Sequence, residues 1–179
     1  MSSTDKSKKC LVIFFSKPGE NFYVGNVKIG NTGRMAHQIQ KRLACDLFEV
    51  VPTDPYPFTT SDTSKRAKEE VLSKARPAIK NKIENLREYD TIFFGYPVWN
   101  ADLPMIMYTF IETYTKELND PHKTIIPFCT HEGIDQVQTF KNLKKALPQA
   151  NILRGFGLYG KYVDTSEAKV IKWLNELKY

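Results

Sequence analysis

The chain has 179 residues, 41% of them hydrophobic and 26% charged, with 26 Lys and Arg against 20 Asp and Glu for a formal net charge of +6. That length suits one well-buried core and is short for two ordinary domains, and the composition argues against disorder of the whole chain. No apolar run reaches the roughly 20 residues of a membrane helix, and the basic surplus is spread over mixed segments such as 65–68 and 144–145 rather than gathered into a nucleic-acid-binding stripe.

In chain order, residues 1–8 read as a flexible basic tail and residues 9–179 as one domain. The tail leads into no signal-peptide pattern, so a cytoplasmic location is expected, with neither a membrane nor a nucleic acid as partner. Residues 10–15 are continuously apolar, as are 91–94 and, with one proline, 124–129. Such runs suit strands covered on both faces, as in a parallel sheet between helices. Residues 46–51 alternate more and fit nearer an edge, and 151–159 make a fifth strand. Between them, Met35, Ala36, Ile39 and Leu43 mark a helix beginning near Thr32. Leu103, Ile106, Phe110 and Tyr114 mark another, with Asp102 as its N-cap and Pro104 in its first turn. Val137, Phe140, Leu143 and Leu147 mark a third, and Asp164 with Glu167 resembles a capping box before a terminal helix. The stretch 52–90 is irregular, with a charged helix over 64–75 broken at Arg76-Pro77 and a short amphipathic piece carrying Ile79, Ile83 and Leu86. The sum is one doubly wound α/β domain.

Cys10, Cys45 and Cys129 lack CxxC spacing, and two lie at the ends of apolar runs, so they read as reduced, buried residues. His37, His122 and His131 form no cluster, and no metal site is expected.

In open α/β sheets, ligands bind beyond the carboxyl ends of the strands, where strand order reverses. The loop after the first strand carries Ser16-Lys17-Pro18-Gly19 and then Gly30-Asn31-Thr32-Gly33 at the start of a helix. The glycines, the Ser16 and Thr32 hydroxyls, the Asn31 amide and the helix N-terminus could cradle a phosphate monoester. The same residues equally suit a plain capped helix. After the third strand comes Gly95-Tyr96-Pro97-Val98-Trp99-Asn100-Ala101, whose tryptophan could cover a planar heterocycle or fold back onto the core. Thr130-His131-Glu132-Gly133 comes after the fourth strand and is placed to face the same ring. Gly155-Phe156-Gly157-Leu158-Tyr159-Gly160 spells a dinucleotide fingerprint, but the segment after Gly160 reads as one helix rather than the βαβ unit of about thirty residues that a true one opens.

With these residues in view, the sequence resembles the flavodoxin-like family. Ser16 with Gly30-Asn31-Thr32 is similar to the flavodoxin phosphate loop, with residues 19–29 inserted into it. The segment 90–99, ending Gly-Tyr-Pro-Val-Trp, is similar to the third strand of a subfamily of flavodoxins and flavin-dependent oxidoreductases, and Arg76-Pro77-Ala78-Ile79 and Pro127-Phe128-Cys129-Thr130 resemble other pieces of that subfamily. The resemblance implies a three-layer sandwich with a five-stranded parallel sheet in the order 2-1-3-4-5, and one FMN. Ser16, Asn31 and Thr32 would bind its phosphate. Pro97, Val98, Trp99, Asn100 and Ala101 would line the isoalloxazine, and Thr130, His131 and Gly133 would close its other edge. Two features depart from the subfamily: Asn100 stands where a second tryptophan is common, and the insertion 19–29, with Asn21, Phe22, Tyr23 and Val24, could cover the flavin or form an interaction surface.

The expected function is FMN-based electron transfer to a redox partner protein. The alternative is an NAD(P)H-dependent FMN oxidoreductase acting on quinones or similar small electrophiles, as a monomer or a homodimer. Carriers of this fold are typically acidic, so a basic chain would meet acidic patches or a small-molecule acceptor instead.

Overall fold

The structure, a computed structural model, describes residues 9–134 and 136–179; the expected tail, 1–8, lies outside the described residues. The chain runs β1 (Cys10–Phe14), β2 (Gly19–Asn21), β3 (Gly25–Val27), α1 (Asn31–Leu43), β4 (Asp46–Glu49) and α2 (Thr60–Leu72), then a 3₁₀ turn (Leu86–Glu88) before β5 (Thr91–Pro97). It continues through α3 (Met105–Thr113), α4 (Thr115–Leu118), β6 (Thr124–His131), α5 (Val137–Ala146), β7 (Asn151–Ile152) and β8 (Phe156–Tyr159) to a second 3₁₀ segment (Gly160–Thr165) and α6 (Glu167–Glu176).

The main sheet is parallel, in the order β4-β1-β5-β6, and both β7 and β8 pair with β6 on its far side. This is the expected order, with the fifth strand interrupted at 153–155. Side-chain alternation divides the core. Leu11, Ile13, Ile92, Phe94 and Ile125 pack with Ile106 and Phe110 of α3 and Leu143 of α5 on one face. Val12, Phe14, Phe93, Ile126 and Phe128 pack with Met35 and Ile39 of α1 and Val170, Trp173 and Leu174 of α6 on the other. Strands β5 and β6 run further than their apolar cores, to Pro97 and His131, and so carry their loops to one edge of the sheet.

Several expectations are corrected. Cys10 and Cys45 are joined by a disulfide, with Cα atoms 5.0 Å apart, and only Cys129 is a free, buried thiol. The cause is register: Leu11 pairs with Asp46 across two parallel strands, so the residues just before them stand side by side. Asp102 does not cap α3, which starts after Pro104; its Oδ1 accepts from Leu103 N–H, the Tyr108 hydroxyl and Asn142 Nδ2. Asp164 is drawn to Arg34 instead of capping α6. Helix α2 ends at Leu72 because Lys74 takes φ 52°, stopping it before Pro77. The piece around Ile79 and Ile83 is largely irregular, tied by a Pro52–Ile79 bridge and by Ile83 N–H donating to the Tyr114 hydroxyl. The insertion contains a small antiparallel hairpin, β2–β3. Among the described residues no helix is long and apolar enough to cross a membrane.

Candidate functional site

The N-terminus of α1 meets the end of β1 at Ser16. Ser16 Oγ accepts from Gly33 N–H at 2.9 Å, which leaves its own hydroxyl proton for another acceptor. Gly30 must be bare: a Cβ there would meet Lys17 O at 2.3 Å and Ser16 Oγ at 2.4 Å. It occupies the N-cap position without a side chain of its own to cap the helix, and the first turn of α1 carries no acidic residue, so, apart from the Gly33 N–H held by Ser16, its N–H groups and partial positive charge face an anion. Arg34, which no sequence motif singled out, donates to Asn31 Oδ1 and thereby leaves the Asn31 NH₂ group as its donor. The Thr32 and Thr130 hydroxyls share a hydrogen bond of 2.7 Å, joining the first turn of α1 to the end of β6. Val98 N–H donates to Thr130 O at 2.8 Å, joining the loop after β5 to the same strand end.

Trp99 is partly buried. Its ring is set edge-on by Phe15, with centroids 5.4 Å apart, and by Tyr56 at 4.9 Å, and it still lines the cavity. Tyr56 is in turn fixed by donating to Glu70 Oε2 at 2.9 Å and by the Arg66 guanidinium 4.1 Å over its ring. Both roles open to Trp99, core aromatic and cavity wall, are therefore combined in one side chain. After it the chain reverses in two residues: Trp99 and Asp102 exchange both backbone hydrogen bonds, and Asn100 and Ala101 have φ of 51° and 60°. That is a type I′ turn, which asparagine suits and a tryptophan would strain. The departure at Asn100 is thus accounted for by backbone geometry.

These loops surround a cavity of about 260 Å³. Nine of the eleven expected residues line it: Ser16, Asn31, Thr32, Pro97, Val98, Trp99, Asn100, Thr130 and His131. Ala101 and Gly133 stand outside the lining, in the turns that hold it. A further wall joins the insertion, read from the sequence as a cover for the flavin or an interaction surface, to α2, which was not expected there. Lys17, Glu20, Asn21 and Phe22, from the loop after β1 and the hairpin, line it with Thr60, Thr63, Ser64 and Ala67 of α2. The available signal was the hydroxyl-rich run Thr59-Thr60-Ser61 with Thr63 and Ser64. Lys17 Nζ donates to Glu20 O at 2.7 Å and Phe58 O at 2.9 Å, and Glu20 Oε2 accepts from Thr60 N–H at 2.7 Å, so hairpin and helix are fastened together.

Burial pulls the Lys17 ammonium below its usual range, against the opposing charge of Glu20. His131 accepts from Gly133 N–H on Nδ1 at 3.1 Å, and burial pulls its imidazole below the usual value, so the neutral ring with its proton on Nε2 is favoured. Burial pushes the Glu132 carboxyl up, against the opposing Lys161, and Glu132 Oε2 is buried without a hydrogen-bond partner among the described residues. The glycines of the dinucleotide-like run serve packing. A Cβ at Gly155 would strike the Phe140 ring at 2.7 Å, one at Gly157 would meet Gln136 at 2.9 Å, and one at Gly160 would meet Asn31 Nδ2 at 2.1 Å.

The sequence profile of the flavodoxin family matches residues 9–177. The chain belongs to the flavodoxin family. Among solved structures it is similar to a candidate flavoprotein of Bacteroides eggerthii DSM 20697, at 31% identity over 96% of this chain and 98% of that one, with a TM-score of 0.75. A candidate flavoprotein of Bacteroides uniformis ATCC 8492 is similar at 30% identity, covering 95% and 99%, with a TM-score of 0.75. A flavoprotein of Lactobacillus acidophilus NCFM, solved in complex with FMN, shares the fold at 21% identity over 89% of this chain and 98% of that one, with a TM-score of 0.67. The curated proteins give no match. Flavodoxin membership and the five-position parallel sheet therefore agree with the sequence.

Proposed function

We propose that this flavodoxin binds one FMN non-covalently in the cavity and uses it to transfer electrons. The observation that carries the reading is the meeting of an anion seat and an aromatic wall in one cavity. Ser16, Asn31, Thr32 and the first turn of α1 offer donors at one place, and Pro97, Val98 and Trp99 line another. The residues fit the group. Gly30 leaves the backbone bare at the anion seat, and the orphaned Glu132 Oε2 is an acceptor for which FMN brings hydroxyl and N–H donors. At about 260 Å³ the cavity is just under the usual range for ligand sites, so a ligand larger than that would fill it and extend through its mouth.

Bound FMN would supply the redox chemistry, while the protein sets access and local charge. The neutral His131 ring can hold a proton on Nε2 at the cavity wall, and Tyr56 keeps Trp99 from turning away. A second reading, an NAD(P)H-dependent reductase of small electrophiles, is favoured by the extra wall: Thr60, Ser64 and Ala67 extend the cavity past the three loops expected to hold the flavin.

An absorption spectrum of the purified protein, taken after excess FMN and desalting, tests the first reading: a retained flavin spectrum is expected, and its absence would sink the proposal. Bleaching by NADPH or NADH alone identifies a reductase. Bleaching only through an added reductase identifies a carrier.

A further inference from the structure

Exposed aromatic side chains gather at the mouth of the cavity. Tyr23, at the tip of the β2–β3 hairpin, is 79% exposed, and its φ of 60° is one that bulky residues rarely adopt. With so little of its ring buried, packing does not require a tyrosine there, and glycine or asparagine would make the turn with less strain. Strained residues of this kind cluster where something binds. The Tyr23 ring centroid lies 5.4 Å from Lys161 Nζ, and the rings of Tyr159 and Tyr162, 43% and 48% exposed, lie 5.9 and 4.9 Å from the same ammonium. Among the described residues no carboxylate comes within ion-pair distance of Lys161; Glu132, the acid whose charge opposes it, lies on the cavity wall, where burial favours its neutral form. The group is continuous with the cavity. Phe22, on its wall, has its ring 6.4 Å from that of Tyr23, and His131, also on its wall, has its ring 4.7 Å from that of Tyr159.

We infer that Tyr23, Tyr159, Tyr162 and Lys161 form a second binding site, for a small planar aromatic anion. The ring would stack on exposed tyrosine, and its carboxylate or sulfonate would meet the Lys161 ammonium. A neutral ring gains only the stacking, and a cationic one is repelled by Lys161, so charge sets the selectivity. That such a ligand is the electron-accepting co-substrate rests on the proposed function; its binding does not.

Calorimetric titration of the full chain with 2-naphthalenesulfonate, with and without saturating FMN, tests this. A cationic counterpart, (2-naphthyl)trimethylammonium, is titrated beside it. The sulfonate is expected to bind one to one, at least tenfold more tightly than the cation, and without displacement by FMN. Lys161→Gln should abolish the preference for the anion, and Tyr23→Ala should weaken sulfonate binding severalfold; both positions are exposed, so neither change disturbs the core. Equal affinity for the two probes, unaltered binding in both variants, or displacement of the sulfonate by FMN would overturn the inference. An acidic protein as the true occupant would show as absence of sulfonate binding, which overturns it too. Failure of FMN to bind would overturn the proposed function while leaving the sulfonate result readable.

Discussion

Trp99 carries much of the proposed ring contact, and its position depends on neighbours rather than on its own loop. Phe15 and Tyr56 hold the indole edge-on, and Tyr56 is anchored through Glu70 and Arg66. An aromatic contact of this type contributes up to ~1.5 kcal/mol beyond area burial. Trp99→Ala should therefore weaken FMN binding about tenfold, measured by fluorescence titration; an unchanged dissociation constant would refute the stacking role. The adjacent turn offers a test of opposite sign. Ala101 has φ of 60°, a conformation that costs an L-residue roughly 1–2 kcal/mol, partly offset by the greater unfolded-state entropy of glycine. Ala101→Gly should raise the unfolding free energy by about 0.5–1 kcal/mol in urea denaturation. A destabilised variant would mean that the methyl group makes a contact that outweighs the strain.

At the scale of elements, a buried cation helps the hairpin and α2 act as one wall. Lys17 is 8% exposed and donates to carbonyls on both sides of the junction, while Glu20 N–H donates to Phe58 O at 3.0 Å. Hydrogen bonds from a charged donor contribute about 1.5–3 kcal/mol. Lys17→Met should cost about 2 kcal/mol and speed amide exchange in the hairpin 19–27 while β1 and β5 stay protected. Uniform exchange across the sheet would show instead that Lys17 supports the global fold. This wall is also where the sequence was least legible. Strands β1, β5 and β6 are readable because burial on both faces makes them continuously apolar, and the Gly-Tyr-Pro-Val-Trp block marks its own loop. The hairpin residues Gly19, Glu20 and Asn21 show no apolar alternation, and their structure comes from contacts with Phe58 and Thr60, far along the chain. Helix α2 could be read as a charged helix, but nothing local says that Thr60, Ser64 and Ala67 turn toward a cavity. The capping box misled for the same reason: Asp164 has a distant partner, Arg34, that local spacing does not reveal.

For the whole molecule, the disulfide encloses the helix that presents the anion seat. Cys10 begins β1, Cys45 immediately precedes β4, and the bond spans a sequence separation of 35 around α1. Closing a loop of that size removes unfolded-state entropy equivalent to about 3–4 kcal/mol in the chain-entropy account. The seat itself lies at the opposite end of α1, fixed by the Ser16–Gly33 and Thr32–Thr130 hydrogen bonds, which do not involve either cysteine. Stability and cofactor binding should therefore separate. The double variant Cys10→Ser/Cys45→Ser is expected to lose about 3 kcal/mol of unfolding free energy, with FMN affinity unchanged within twofold. A reductant should bring the wild-type melting temperature down to that of the variant. If the reductant has no effect, the bond contributes nothing to stability. If FMN affinity falls with the bond, α1 transmits the constraint from one end to the other, and the seat is held by the whole helix rather than by its first turn.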